Sequence, residues 1–198
     1  MVGVSTDEVM GGCPPVALAE ANAREKVRRA VLPTDAPSGS FVLGADTIVV
    51  VDGVVLGKPV DEEDARVMLA TLSGRRHEVI TGVAVERRGT AVVDRAGRPG
   101  EAAGVSADGV VAGTTTTVVA FRPLASADLD AYLASGEWEG KAGSYAIQGL
   151  AAVFSEGIVG DYANVVGLPL ALVAEIFRRQ GFDLLRRAWL CPRGAHEV

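Results

Sequence analysis

The residues best suited to chemistry lie in and around one stretch, Phe41 to Pro59, which reads F-V-L-G-A-D-T-I-V-V-V-D-G-V-V-L-G-K-P. Its near-continuous aliphatic character predicts a strand buried on both faces, as in sheets covered by helices on each side. Asp46 interrupts that run. An ionised carboxylate is costly in such a place unless a cation, a metal or hydrogen bonds compensate it. A compensated one can act as a base toward water or hold a metal. Asp52-Gly53 supplies the turn of a tight hairpin, so Val54 to Leu56 return and bring Lys58 toward Asp46 at one end of the sheet. Alternatively, Asp46 ends a strand segment and caps a backbone turn through its side chain. These residues alone leave both readings open.

Of 19 basic residues only Lys26, Lys58 and Lys141 are lysine. Where arginine serves almost everywhere else, the exceptions suit positions needing a compact point charge, such as one facing a phosphate. Chance placement on a solvated surface is the alternative. Lys141 lies in Gly140 to Gly149, G-K-A-G-S-Y-A-I-Q-G. Backbone N–H groups of such a glycine-rich loop can approach phosphate oxygens, but the string is neither a P-loop nor a dinucleotide fingerprint, and by itself it reads first as a tight turn. His77 reads as a structural histidine, because the only other histidine, His196, lies in the polar tail and no metal-binding cluster forms.

The elements that must position these groups follow from length and pattern. The chain has 198 residues, 48% of them hydrophobic and only 5% aromatic, which fits one α/β core over residues 1–185 and a flexible tail over 186–198. A net charge of −6 lacks the basic excess that a nucleic-acid polymer requires. No apolar stretch is long enough to span a bilayer, and M-V-G-V-S-T-D-E lacks the pattern of a secretory signal, so a cytoplasmic protein is expected. Cys13 and Cys191 have no C-x-x-C spacing, which argues against zinc or a redox pair, although a disulfide between them stays open.

Pro14-Pro15 starts a helix over Val16 to Val31 that carries Lys26 in its second half, and Leu32 to Ser40 is a loop into the central strand. Asp61 caps a second helix whose buried stripe is Ala65, Met68, Leu69 and Leu72, stopped by Gly74. His77 to Glu86 and Gly113 to Phe121 are strands, separated by a surface excursion over Arg87 to Ala112. Ser126 caps a short helix, Ala151 to Val159 is a strand, and Asp161 to Gly167 is a polar turn before a last helix from Pro169 to Gly181.

Five strings stand in register: G-A-D-T at Gly44, L-G-K-P at Leu56, L-S-G-R at Leu72 followed by H-E-V-I-T-G at His77, K-A-G-S-Y-A-I-Q-G at Lys141, and G-D-Y-A-N-V-V-G-L-P at Gly160. Together they resemble the Maf family of nucleotide pyrophosphatases. The resemblance implies an α/β fold related to inosine triphosphatases, with an elongated mixed β-sheet flanked by helices, usually as a homodimer. It implies cleavage of a nucleoside triphosphate to the monophosphate and pyrophosphate, dependent on a divalent cation, Mg²⁺ or Mn²⁺. By the same resemblance Asp46 is the proton acceptor, Thr47 and Gln148 are specificity positions, and Lys58 and Lys26 contact substrate. Glu8 matches an acidic residue of the site; Glu8 and Asp46 are the candidate metal ligands, and whether Asp46 is base or metal ligand stays open, since the pair would allow one of each. The form I-Q-G with N-V-V-G-L-P resembles the branch acting on dTTP and UTP, whereas the branch acting on 7-methyl-GTP carries a different loop. Gln148 offers both a donor and an acceptor, which can meet the O4 and N3–H edge of uracil or thymine.

One departure bears on activity. Members of that family begin with a short apolar strand and a serine, proline and double-arginine motif, which this sequence does not contain. A recorded start downstream of the true one is expected. The rivals are a noncatalytic nucleotide-binding regulator of cell division and an inactive truncation.

Overall fold

The computed structural model describes residues 13–88 and 109–190. Glu8, His196, Cys191 and the middle of the expected 87–112 excursion lie outside them. Helix α1, Pro15–Arg29, starts with proline at its first turn, where a missing N–H costs nothing, and ends with Lys26, Arg28 and Arg29 in its last turn, matched to the negative end of its dipole. Strand β1, Phe41–Val51, turns through Asp52 (φ 49°) and Gly53 (φ 79°) into β2, Val54–Leu56. Positive φ at both central residues makes a type I′ hairpin, as the Asp-Gly pair predicts. Helix α2, Glu62–Leu72, is capped by Asp61, whose carboxylate accepts from Asp64 N–H at 2.8 Å.

Strands β3, Arg76–Arg87, and β4, Val110–Phe121, form the long centre of the sheet. Both run further toward the expected excursion than their patterns indicate. Helix α3, Ser126–Leu133, takes Ser126 as its first helical residue and not as its cap; the Ala125 N–H at that end is held by the Asp128 carboxylate at 2.8 Å. The stretch expected as one strand is a 3₁₀ turn, Leu150–Phe154, followed by β5, Ser155–Val159. The expected polar turn is a short helix, α4, Tyr162–Val166, capped by Asp161, which accepts from Ala163 N–H at 2.8 Å. Five residues hold too little periodicity to be read as a helix. Helix α5, Leu170–Arg179, follows Pro169. Beyond residue 185, where the tail was expected to begin, Ala188–Trp189 (β7) still pairs with Phe182–Asp183 (β6).

The five-stranded sheet has the order β2-β1-β3-β4-β5. It is the expected α/β sheet flanked by helices, and its four pairings are all antiparallel, so the parallel pair a mixed sheet requires is not among the described residues. Side chains alternate across each strand. Val42, Ile48, Val50, Ile80, Ala84 and Val110 pack under α1. Val49, Val79, Val119 and Phe121 face the other way, into the core with α2, α3 and the glycine-rich loop, and Val83, Val85 and Val111 meet α5.

Helix α1 lies close against the sheet because two strand positions facing it, Gly44 and Gly82, lack a side chain. A Cβ on Gly44 would stand 2.6 Å from the Ala23 carbonyl oxygen, and one on Gly82 only 2.2 Å from that of Ala19. That close approach carries the polar residues of α1 down to the level of β1.

Candidate active site

Asp46 faces α1 and is 8% exposed. Lys26 Nζ donates to its Oδ1 at 2.6 Å and to the Ala45 carbonyl at 2.8 Å, while Asn22 Nδ2 donates to its Oδ2 at 2.9 Å. Asn22 and Lys26 are one turn apart on the same face of α1, so a single helix supplies both partners. The carboxylate is thus compensated as its burial demands. Each of its oxygens keeps a further lone pair, and Lys26 keeps one of its three donors. The cation at Asp46 is Lys26 and not the hairpin lysine. Asn22 was not found from sequence, although its i, i+4 spacing from Lys26 over the buried pair Ala19 and Ala23 was a usable signal.

Thr47, the next residue, points to the opposite side of the sheet. Its Oγ1 lies 2.9 Å from Thr81 Oγ1, directly across the β1–β3 ladder. Thr81 Oγ1 donates to the carbonyl of Asn164 at 3.1 Å, and Asn164 Nδ2 donates to the Val79 carbonyl and to Thr117 Oγ1, each at 2.9 Å. Thr117 in turn donates to the Asp161 carbonyl and accepts from Asp161 N–H, both at 3.1 Å. Thr81, Thr117 and Asn164 are fully buried. None of the three was singled out in the sequence, because nothing in it aligns α4 over the β3–β4 pair.

Both residues nevertheless reach one cavity. Strand β2 pairs only with Val49 to Val51, which leaves the edge of β1 uncovered by a strand at residues 46 and 47. The cavity, of about 250 Å³, opens there and is lined by Lys26, Asp46, Thr47, Lys58 and Gln148, together with Lys141 and Tyr145 of the glycine-rich loop and Val165 of α4. Five of the six residues expected in the site are thereby brought together, and Glu8 lies outside the described residues. A hollow of about 330 Å³ near Arg75, Arg76 and Glu156 contains none of them.

The glycine-rich loop is fixed on several sides. Gly143 N–H donates to the Gly57 carbonyl at 2.9 Å, tying the loop to the residue before Lys58. Gly143 adopts φ +65°, and a Cβ there would meet Val49 at 2.9 Å, so both conformation and space call for glycine. Ala146 N–H donates to the Tyr132 hydroxyl at 3.0 Å, and His77 Nε2 lies 2.9 Å from the Tyr145 hydroxyl. His77 is the structural histidine its sequence context indicates: burial pushes its pKa down to about 4, and its ring meets Phe121 and Tyr145 edge-on. Burial likewise raises the Tyr132 hydroxyl to about 12. Both groups are neutral hydrogen-bonding partners near neutral pH.

Among the described residues no group of three or more His, Cys, Asp or Glu side chains could hold a metal ion, and Asp46 is the one carboxylate lining the cavity. No helix among them is long and apolar enough to cross a membrane.

Comparison with known proteins places the chain in a family. The profile of the family described as Maf-like protein matches residues 3–180. The dTTP/UTP pyrophosphatase of Anaeromyxobacter sp. (strain Fw109-5) is 48% identical over 191 residues, covering 96% of this chain and 82% of that protein. The dTTP/UTP pyrophosphatase of Geobacter sulfurreducens is 44% identical over 175 residues, 88% of this chain and 81% of that protein. The dTTP/UTP pyrophosphatase of Pyrococcus abyssi is 46% identical over 137 residues, 69% of this chain and 63% of that protein. With the motifs, the cavity they line and a match over nearly the whole sequence, the chain belongs to the Maf-like family.

Proposed function

We propose that this protein is a nucleoside triphosphate pyrophosphatase acting on dTTP and UTP, releasing the nucleoside monophosphate and pyrophosphate. The observation that carries the reading is the convergence of Lys26, Asp46, Thr47, Lys58 and Gln148 on one cavity, in a chain whose curated relatives are named dTTP/UTP pyrophosphatases.

Asp46 accepts the proton of a water that attacks the α-phosphorus; the bond to the bridging oxygen breaks and pyrophosphate leaves. Asn22 and Lys26 hold the carboxylate in one orientation, which removes the cost of aligning it during reaction. Lys58, with the remaining donor of Lys26, meets charge on the polyphosphate. Lys141, on the same cavity and hydrogen-bonded through its loop to the Lys58 segment, supplies a further cation. Thr47 and Gln148 face the base.

A divalent cation, Mg²⁺ or Mn²⁺, belongs to this reading. Mg²⁺ is typically held through one or two carboxylates plus substrate phosphates and water, a demand that Asp46 and a bound triphosphate meet together. When bound, the cation neutralises phosphate charge and polarises the phosphoryl group. The resemblance also supports a cytoplasmic homodimer, which light scattering after size-exclusion chromatography tests for its dimeric part.

The deciding experiment is pyrophosphate release from dTTP, UTP, CTP and 7-methyl-GTP with Mg²⁺ or Mn²⁺. Release from dTTP and UTP that disappears in Asp46→Asn is the expected result. A folded protein that binds these nucleotides without releasing pyrophosphate would make it a nucleotide-binding regulator instead.

A further inference from the structure

We propose that Thr81, which touches no solvent, is a positioning residue that sets base preference by fixing the direction of the Thr47 hydroxyl. The inference rests on the function proposed above and concerns the same cavity.

A hydroxyl has one hydrogen to donate and two lone pairs. A backbone carbonyl can only accept, so in the 3.1 Å contact between Thr81 Oγ1 and the Asn164 carbonyl the hydrogen belongs to Thr81. That leaves Thr81 nothing to give Thr47, and in their 2.9 Å contact Thr47 must donate and Thr81 accept. The Thr47 hydrogen therefore points into the protein. What Thr47 presents to the cavity is a lone pair.

The rest of the network holds this direction. The Asn164 amide orientation is set because its Nδ2 faces the Val79 carbonyl, which only accepts; the same nitrogen donates to Thr117 Oγ1, whose own hydrogen goes to the Asp161 carbonyl. The short helix carrying Asn164 is thereby seated on β3 and β4, and its carbonyl stays where Thr81 needs it. All three relay side chains are fully buried, so no water competes for these protons.

A fixed acceptor selects for a donor. Uracil and thymine carry N3–H on the edge that distinguishes them, whereas cytosine has a bare N3 there, so a cytosine base would set two lone pairs against each other. An unmatched polar contact of this kind is more costly than a lost bond, and a site built to pair a donor rejects its analogue accordingly. Freed from Thr81, the Thr47 hydroxyl could rotate and donate to cytosine N3, which would relax the preference.

The test compares kcat/KM for UTP and CTP in the wild type, Thr81→Val and Thr81→Ser. Valine keeps the shape and removes the relay; serine keeps the relay. The UTP preference is expected to fall about tenfold in Thr81→Val, chiefly through better use of CTP, and to persist in Thr81→Ser. A purely structural role would lower both substrates alike and leave the ratio unchanged, and that result would overturn the proposal while the pyrophosphatase reading stood. A wild type inactive on every triphosphate would remove both. Should Thr81→Val fail to fold, Thr81→Cys, similar in size and a weak donor, takes its place, with a partial loss of preference expected and an unchanged ratio again decisive against the relay.

Discussion

Asp46 and Thr47 are consecutive residues on opposite sides of one sheet, and the two sides handle polarity differently. On the α1 side a full charge is kept, held by Lys26 and Asn22 at the rim, where Lys26 retains 36% of its side-chain exposure. On the α4 side every buried partner is neutral: hydroxyls, amides and an imidazole. The ion pair sits at the uncovered edge of β1, where the cavity shared by both faces opens and water can reach it; Thr81, Thr117 and Asn164 lie away from that opening, shut off from water beneath α4, where neutral groups cost less to bury. Under the proposed function, chemistry belongs to one face and discrimination to the other.

The contrast is broken most severely at Asp46. Under the proposed function Asp46→Asn loses about 10³-fold in pyrophosphate release while the cooperative melt is retained, since base catalysis typically contributes about 10²–10⁴-fold. A loss below about tenfold would move the base elsewhere. Next in size is Gly82→Ala. Its methyl would stand 2.2 Å from the Ala19 carbonyl, so α1 must lift, at a cost of about 3 kcal/mol by denaturant titration, and Asn22 and Lys26 lift with it. Equal stability with full activity would show that α1 is not what positions Asp46.

His77 tests the neutral side. Its folded pKa, about 4, lies below the ordinary 6.5 because burial opposes the charged form. Between those values the unfolded chain binds a proton that the folded protein refuses. Stability is therefore fully present above about pH 6.5, declines as pH falls, and is lower by roughly 3 kcal/mol once pH passes about 4. Urea midpoints measured from pH 7.5 to 4 should show this slope in the wild type and a flatter one in His77→Gln. Asp128, held down to about 2 by Arg122 and the Ala125 N–H, acts only at the acid end of that range and is common to both proteins.

The smallest effect is expected at Lys141→Ala, which leaves the fold intact because the residue is exposed. KM for UTP should rise about tenfold with kcat little changed, consistent with one partly solvated phosphate contact. An unchanged KM would confine the phosphate grip to the Lys58 side of the cavity.

How much was legible in advance depended on how local each signal was. The Asp52-Gly53 hairpin, the Asp61 cap and the stripe of Ala65, Met68, Leu69 and Leu72 are short-range physics, and all three are present, with Met68 half-buried and the other three stripe residues buried. Asp46 and Lys58 were legible because each breaks the pattern around it. The 3₁₀ turn before β5 and the five-residue α4 were misread, since elements so short are decided by what they pack on. Asn22, Thr81 and Asn164 were invisible for a related reason. Their polarity has meaning only beside partners 24, 34 and 85 residues away.

The sequence by itself determined the strand and its buried carboxylate, the hairpin, the helix carrying Lys26 and the membership of a family, because these depend on spacing and residue type. Only the tertiary structure decided that Lys26 is the cation at Asp46, that two faces of one strand share a cavity, and which way the Thr47 hydrogen points. Those outcomes turn on an uncovered sheet edge, on two glycines that let a helix approach, and on carbonyls that can only accept. Such properties belong to positions in space, and no local pattern of residues encodes them.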